Sequence, residues 1–128
     1  MSTNVDIVRS IYEAGAKGDL NGILPFLDPN VVIHEAASLP YGGEYHGIEG
    51  FSRLAAAVYS TWKSFEVDMT ELLDAGPTVV ALIQLRVTMK ESGQVVEMPL
   101  AEVWRLRDGK VVDLRPFYWD TAVLRSNV

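Results

Sequence analysis

Four strand-forming runs crowd the second half of this chain with very little between them, and that order leaves few folds open. They are Phe65 to Leu73, Thr78 to Met89, Val95 to Leu106 and Val111 to Trp119. The run from Thr78 is long and rich in β-branched residues, which favour strands. Glu91-Ser92-Gly93 and Arg107-Asp108-Gly109-Lys110 separate the later runs, and an Asp-Gly pair between strands is a strong hairpin signal. Strands joined by such short turns must pair antiparallel. The sequence therefore predicts a four-stranded meander.

Helical signals sit upstream of it. Thr3 or Ser2 can cap a helix in which Val5, Ile7, Val8, Ile11, Tyr12 and Ala16 recur at helical spacing. Gly18 stops it. Asp19 then caps a brief second helix through Phe26, with Pro25 late in it. Asp28-Pro29-Asn30 reads as a turn and Val31 to Glu35 as a strand. A third helix runs from Ile48 to Trp62, with Phe51, Leu54, Val58 and Trp62 on one face. Thr121 to Ser126 forms a short terminal helix. Helices segregated from antiparallel strands define an α+β class. A long twisted sheet with helices on one face curls into a half-cone, and the space between is a natural ligand cavity.

With 128 residues the chain is expected to form one domain, residues 1–128, large enough to bury a core. The net charge of −6 repels phosphate backbones and excludes nucleic acid as a partner. No apolar run approaches the roughly 20 residues that span a bilayer, and the N-terminus lacks the pattern of a signal peptide. Zero cysteines remove thiolate and disulfide chemistry and fit a cytoplasmic protein. The two histidines, His34 and His46, are 12 residues apart, and no metal-ligand spacing, glycine-rich nucleotide loop or nucleophile elbow is present. Neither a metal nor any other cofactor is expected.

Three segments carry a resemblance: KGDLNGILPFLDPNVVIHE, the loop PYGGEYHG leading into a helix, and the closing EVWRLRDGKVVDLRPFYWDTA. Together they resemble the NTF2-like superfamily, in particular its SnoaL-like and ketosteroid-isomerase-like branch, over nearly the whole chain. The resemblance implies a cone-shaped fold, a curved antiparallel sheet wrapped around three helices with an internal cavity. It leaves reaction type open, because this fold hosts isomerases, cyclases, epoxide hydrolases and non-catalytic binding modules. It places Glu35 where ketosteroid isomerases hold their general base, and Glu102 where they hold a second, protonated acid. The family's phenol matches Ile11 here. Tyr12 is one residue, about 100° of helix rotation, away from that position, a departure that weighs against steroid isomerisation itself. The cyclase and epoxide-hydrolase branches use an acid late in the chain, for which Asp120 is the loose match.

Neighbours on a strand point to opposite faces, so only one of His34 and Glu35 faces the cavity. Glu35 is either that residue or a solvated strand-end acid; His34 is either catalytic or a hydrogen-bonded core histidine. Glu102 shares a strand face with Met98, Leu100, Trp104 and Leu106. A carboxylate in that company must be neutral, pocket-facing or paired, for example with Arg86. Asp120 either meets a ligand beside Tyr118 or caps the terminal helix. Tyr41, Tyr45 and His46 sit on a glycine-hinged loop that reads as a lid. Tyr12, Tyr41, Tyr45, Trp62, Trp104 and Tyr118 are the candidate ligand contacts.

Two functions fit. One is an isomerase- or cyclase-type enzyme on a small apolar carbonyl or cyclic molecule, with Glu35 or His34 taking a proton and Glu102 stabilising the oxyanion; the same acids would position water in an epoxide-hydrolase variant. The other is a non-catalytic ligand-binding or dimerisation module. Val79, Ala81, Ile83, Leu85 and Val87 share one strand face, and a bare face of that kind would be unusual on a monomer, so a homodimer is expected.

Overall fold

The structure is a computed structural model that describes residues 3–126. Helix α1 (Asn4–Ala16) starts with a capping box: the Thr3 hydroxyl accepts from the Asp6 amide at 3.1 Å, and Asp6 accepts from the Thr3 amide. Ser2, the alternative cap, lies outside the described residues. Helix α2 (Leu20–Ile23), capped by Asp19, runs into a 3-10 turn at Leu24–Phe26, where Pro25 ends regular helix. Strand β1 (Leu27–Glu35) follows, then β2 (Gly43–His46), α3 (Gly47–Thr61), β3 (Ser64–Ala75), β4 (Thr78–Thr88), β5 (Val95–Arg107), β6 (Lys110–Tyr118) and α4 (Thr121–Arg125).

The six strands form one sheet in the order β2-β1-β6-β5-β4-β3. The meander from β3 to β6 is as expected. Three features are not. The loop after β1 contains a short edge strand, β2, which pairs antiparallel with β1 through Ile33–Tyr45 and His34–Glu44. In addition, β1 runs parallel to β6, a long-range pairing that local turn chemistry does not report. The Asp28-Pro29-Asn30 segment belongs to β1, at a register shift between Leu27 and Val32 rather than a free turn.

Pleat parity decides the two faces. The register pairs Val79 with Trp104, Ala81 with Glu102, Ile83 with Leu100 and Leu85 with Met98. All of these except Glu102 are buried against the helices. The face carrying Val79, Ala81, Ile83, Leu85 and Val87 is thus the inner face, at most 4% exposed, and not a bare surface awaiting a second subunit. That corrects the reason for expecting a dimer: the outward residues are those of opposite parity, Val80, Leu82, Gln84 and Arg86. Arg86 is held there between Glu66 (3.4 Å) and Glu97 (2.7 Å), on the far side of the sheet from Glu102.

Helix α3 packs on β1 and β2 through Gly50, which is buried. A Cβ at Gly50 would lie 2.9 Å from the carbonyl carbon of Tyr45, a backbone atom that cannot swing away. Gly50→Ala is therefore expected to lower stability by about 1–3 kcal/mol, seen as a lower urea midpoint at unchanged slope. An unshifted midpoint would show that α3 is not seated this closely.

Candidate active site

A cavity of about 410 Å³ opens between the inner sheet face and helices α1 and α3. Its walls are apolar over most of their extent: Ile11, Phe51, Leu54, Val58, Phe65 and Leu114 among others. Its polar lining includes Tyr12, Glu35, Glu102 and Tyr118, with Trp104 beside them. A second depression of about 490 Å³ lies against the other side of the sheet, but its lining holds no carboxylate, histidine or cationic side chain. The carboxyl side chains line the first.

Tyr12 points into this cavity. The apolar stripe of α1 is wide, and Ile7, Val8, Ile11 and Tyr12 occupy positions i, i+1, i+4 and i+5. Residues 100° apart can then both face inward, and Ile11 and Tyr12 both line the wall. The one-residue offset from the family's phenol does not turn the side chain away.

The Tyr12 hydroxyl donates to Glu102 Oε1 at 2.5 Å, and Trp104 Nε1–H donates to the Tyr12 oxygen at 2.9 Å. The two rings meet edge to face, centroids 5.6 Å apart. An indole-to-phenol-to-carboxyl chain thus runs from α1 to β5. Burial pushes the Glu102 carboxyl up to about 7, opposed by the hydrogen bond from Tyr12. Burial, then the charge of Glu102, holds the Tyr12 phenol well above its ordinary range.

Glu35 ends β1 on the cavity side. One of its carboxyl oxygens, Oε1, is buried with no hydrogen-bond partner. Burial first, and the charge of Glu102 second, push this carboxyl up to about 8. No cationic side chain is among the residues lining the cavity. An unpaired acid in an apolar pocket costs stability, which makes Glu35 a candidate site residue.

The remaining candidates are placed elsewhere. His34 points to the outer face, with Nδ1 3.1 Å from Glu44 and Nε2 2.7 Å from Asp113, while Arg115 lies 3.4 Å from Asp113. Alternation along β1 excludes it from the cavity that Glu35 faces. Asp120 accepts from the Ala122 and Val123 amides as the cap of α4, and does not line the cavity. Tyr41 is buried rather than on a lid: its hydroxyl accepts from Trp62 Nε1 at 3.2 Å and lies 3.3 Å from the Tyr118 hydroxyl, and its carbonyl accepts from Tyr45. Tyr41, Tyr45 and Trp62 therefore stand behind the wall, and only Tyr118 of that group lines it. His46 is exposed beside Glu44.

Comparison with known proteins agrees with this fold. A comparison with curated proteins finds no match. Among solved structures, an NTF2-like protein of unknown function from Burkholderia pseudomallei is 29% identical with a TM-score of 0.91, over 100% of this chain and 98% of that one. An NTF2-like protein from Burkholderia thailandensis is 26% identical with a TM-score of 0.92, over 99% and 98%. TerC, co-crystallised with polyporic acid, is 22% identical with a TM-score of 0.88, over 98% of both chains. The profile of the SnoaL-like domain matches residues 8–114, so this chain belongs to the SnoaL-like domain family, built on the NTF2-like α+β fold.

Proposed function

We propose that this protein is an enzyme that moves a proton next to the carbonyl of a small apolar molecule. The observation that carries the reading is the presence of two half-buried carboxyls in different surroundings: Glu102 tied to Tyr12, Glu35 unpartnered. Such chemistry needs one ionised base and one neutral donor. The apolar walls favour an uncharged substrate, and a fold neighbour co-crystallised with polyporic acid adds support for a small-molecule ligand.

Tyr12 donates to Glu102, which favours a Glu102 carboxylate, while the unpartnered Glu35 favours its neutral form, so a proton shared by the pair resides on Glu35. A substrate carbonyl arriving at Tyr12 takes over that hydrogen bond. Glu102 then loses its donor, and the proton favours Glu102 over Glu35. Binding thereby produces the working state: Glu35 ionised, Glu102 and Tyr12 both donating. Glu35 removes a proton from the carbon next to the carbonyl, and the C–H electron pair moves into an enolate. Its oxygen accepts from Tyr12 and Glu102. Trp104 donates to the Tyr12 oxygen, which keeps the phenol proton directed at the substrate. Return of the proton from Glu35 to a conjugated carbon completes isomerisation; if Glu35 first trades it with water, return to the same carbon completes exchange.

The test is α-proton exchange of 2-tetralone, an apolar bicyclic ketone, in D₂O followed by NMR. Exchange above the buffer rate is expected. None above it would leave a ligand-binding module without this chemistry.

We also propose a homodimer formed through the outer sheet face. Phe117 is 58% and Trp119 76% exposed there, beside Leu82, Ala101 and the depression they line. Sedimentation equilibrium should give twice the 14.2 kDa chain mass, and Phe117→Glu should halve it. A single species at the chain mass overturns this.

A further inference from the structure

Glu35 and Glu102 stand on strands that are not neighbours, because β6 lies between β1 and β5. The β5–β6 ladder is continuous through Glu102, pairing it with Pro116 and running on to Leu100–Tyr118. The β1–β6 ladder is weaker. It shifts register between Leu27 and Val32, and its last pair is Ile33–Leu114, two residues short of Glu35. Past that pair the strand partner of β1 is β2, a four-residue edge strand that meets Glu35 at Gly43. The main-chain ladder therefore leaves the end of β1, which carries the proposed base, poorly tied to the strand that separates it from Glu102.

A side-chain bridge on the outer face makes up for this. His34, the residue before Glu35, sets Nε2 2.7 Å from Asp113 Oδ1 on β6 and Nδ1 3.1 Å from Glu44 Oε2 on β2. The side chains of His34 and Asp113 are 22% and 21% exposed, so water reaches their contact only in part. Arg115 Nε holds the other Asp113 oxygen at 3.4 Å, and the register sets Arg105 of β5 opposite Asp113. His46 lies 3.5 Å from the second oxygen of Glu44. Carboxylates only accept, so ring hydrogens make these bonds. The imidazolium donates to both acids; a neutral ring has one hydrogen, best placed in the shorter contact, to Asp113. The proton-transfer scheme uses none of these groups.

We propose that His34 is a positioning residue: its bond to Asp113 fastens the end of β1 to β6 and so sets where the Glu35 carboxyl stands relative to Glu102 on the other face of the sheet. His34 meets no ligand. It shares a peptide unit with Glu35 and points the opposite way, so whatever fixes one fixes the other. Without the bond, the end of β1 parts from β6 and the Glu35 carboxyl turns toward water. A catalytic group misplaced by about 1 Å can cost about 10²-fold in rate. The catalytic consequence rests on the proton-transfer reading; the anchoring of Glu35 does not.

The test compares two variants of the same position. Gln sets an amide nitrogen near the place of Nε2 and keeps the bond to Asp113; Asn sets one near the place of Nδ1 and keeps the bond to Glu44. Both are uncharged and each keeps one bond, so a general loss of stability does not separate them. The first readout is the titration of the Glu35 carboxyl, followed by its ¹³C NMR shift. His34→Asn should move the midpoint from about 8 toward the ordinary 4.5, and His34→Gln should leave it in place. The second is exchange of 2-tetralone: His34→Asn should lower kcat about 10- to 100-fold at unchanged KM, and His34→Gln should restore most of that loss. Asp113→Ala should match His34→Asn, and the two together should do no more than either alone. Equal Glu35 midpoints in the two His34 variants, a wild-type midpoint already near 4.5, or an unchanged kcat in His34→Asn overturns the proposal. Absence of exchange in the wild type counts instead against the proton-transfer reading, and the carboxyl titration still judges His34 on its own.

Discussion

Glu35→Gln is expected to slow α-proton exchange of 2-tetralone by about 10²- to 10⁴-fold, the usual contribution of a positioned general base. Gln keeps the size and the hydrogen-bonding of the side chain but cannot accept the proton. The wild-type rate should be bell-shaped in pH. Below about 7 both carboxyls hold protons and no base is available; above about 8 both are ionised, the donor to the enolate is gone and the two charges oppose a third. The maximum therefore lies between those values, where the pair holds one proton. Glu102→Gln retains a donor but cannot take the proton from Glu35, so its profile should lose the alkaline limb and rise to a plateau. A Glu35→Gln enzyme with the wild-type rate would sink the assignment of the base.

The second large effect concerns stability. Glu35 ionises at an ordinary carboxylate value of 4.5 when the chain is unfolded and at about 8 when it is folded. The folded state therefore binds this proton more tightly. Its contribution is fully present below about pH 4.5 and is lost as pH rises through 8. At pH 9 the wild type must hold a carboxylate in an apolar pocket. Glu35→Gln removes that requirement. At about 1.4 kcal/mol per pKa unit, and allowing for solvent in the cavity, the variant should gain about 2–4 kcal/mol on the wild type between pH 5 and pH 9. Urea titrations at both pH values measure it. Parallel midpoints across that range would mean that Glu35 is solvated. Because the readout is folding, this result stands apart from turnover. An acid that costs stability at alkaline pH and supports catalysis is the trade often seen at active sites.

Much of this is legible in the sequence. The capping residues, the three main helices and the strand runs of the meander follow from short-range chemistry: Thr3 ahead of an apolar helical stripe, Asp108-Gly109 between strands, β-branched alternation from Thr78. Glu102 among Met98, Leu100, Trp104 and Leu106 announced a carboxyl on the inner face, because period two forces it onto the face of its apolar neighbours. The same parity rule separated His34 from Glu35.

Other features were decided by contacts between residues far apart in the chain. Local patterns do not encode such contacts. Strand β2 has four residues and little β signal of its own, and it exists because β1 offers an unpaired edge. The parallel β1–β6 pair joins the two ends of the chain. Which face of β4 is inner depends on where the helices settle, so the row from Val79 to Val87 could not be told from an exposed face by alternation alone. Tyr41, read as part of a mobile lid, is buried because its hydroxyl meets Trp62 and Tyr118, 21 and 77 residues away. Tyr12 is the sharpest case. Sequence spacing put it 100° from the expected phenol, yet α1 is rolled so that Tyr12 reaches Glu102, 90 residues later. Sequence alone determined which residues are acidic, apolar or turn-forming and hence the class of fold. The tertiary structure decided which acid has a partner and which is left alone, since helix roll and strand curvature arise from packing the whole core at once.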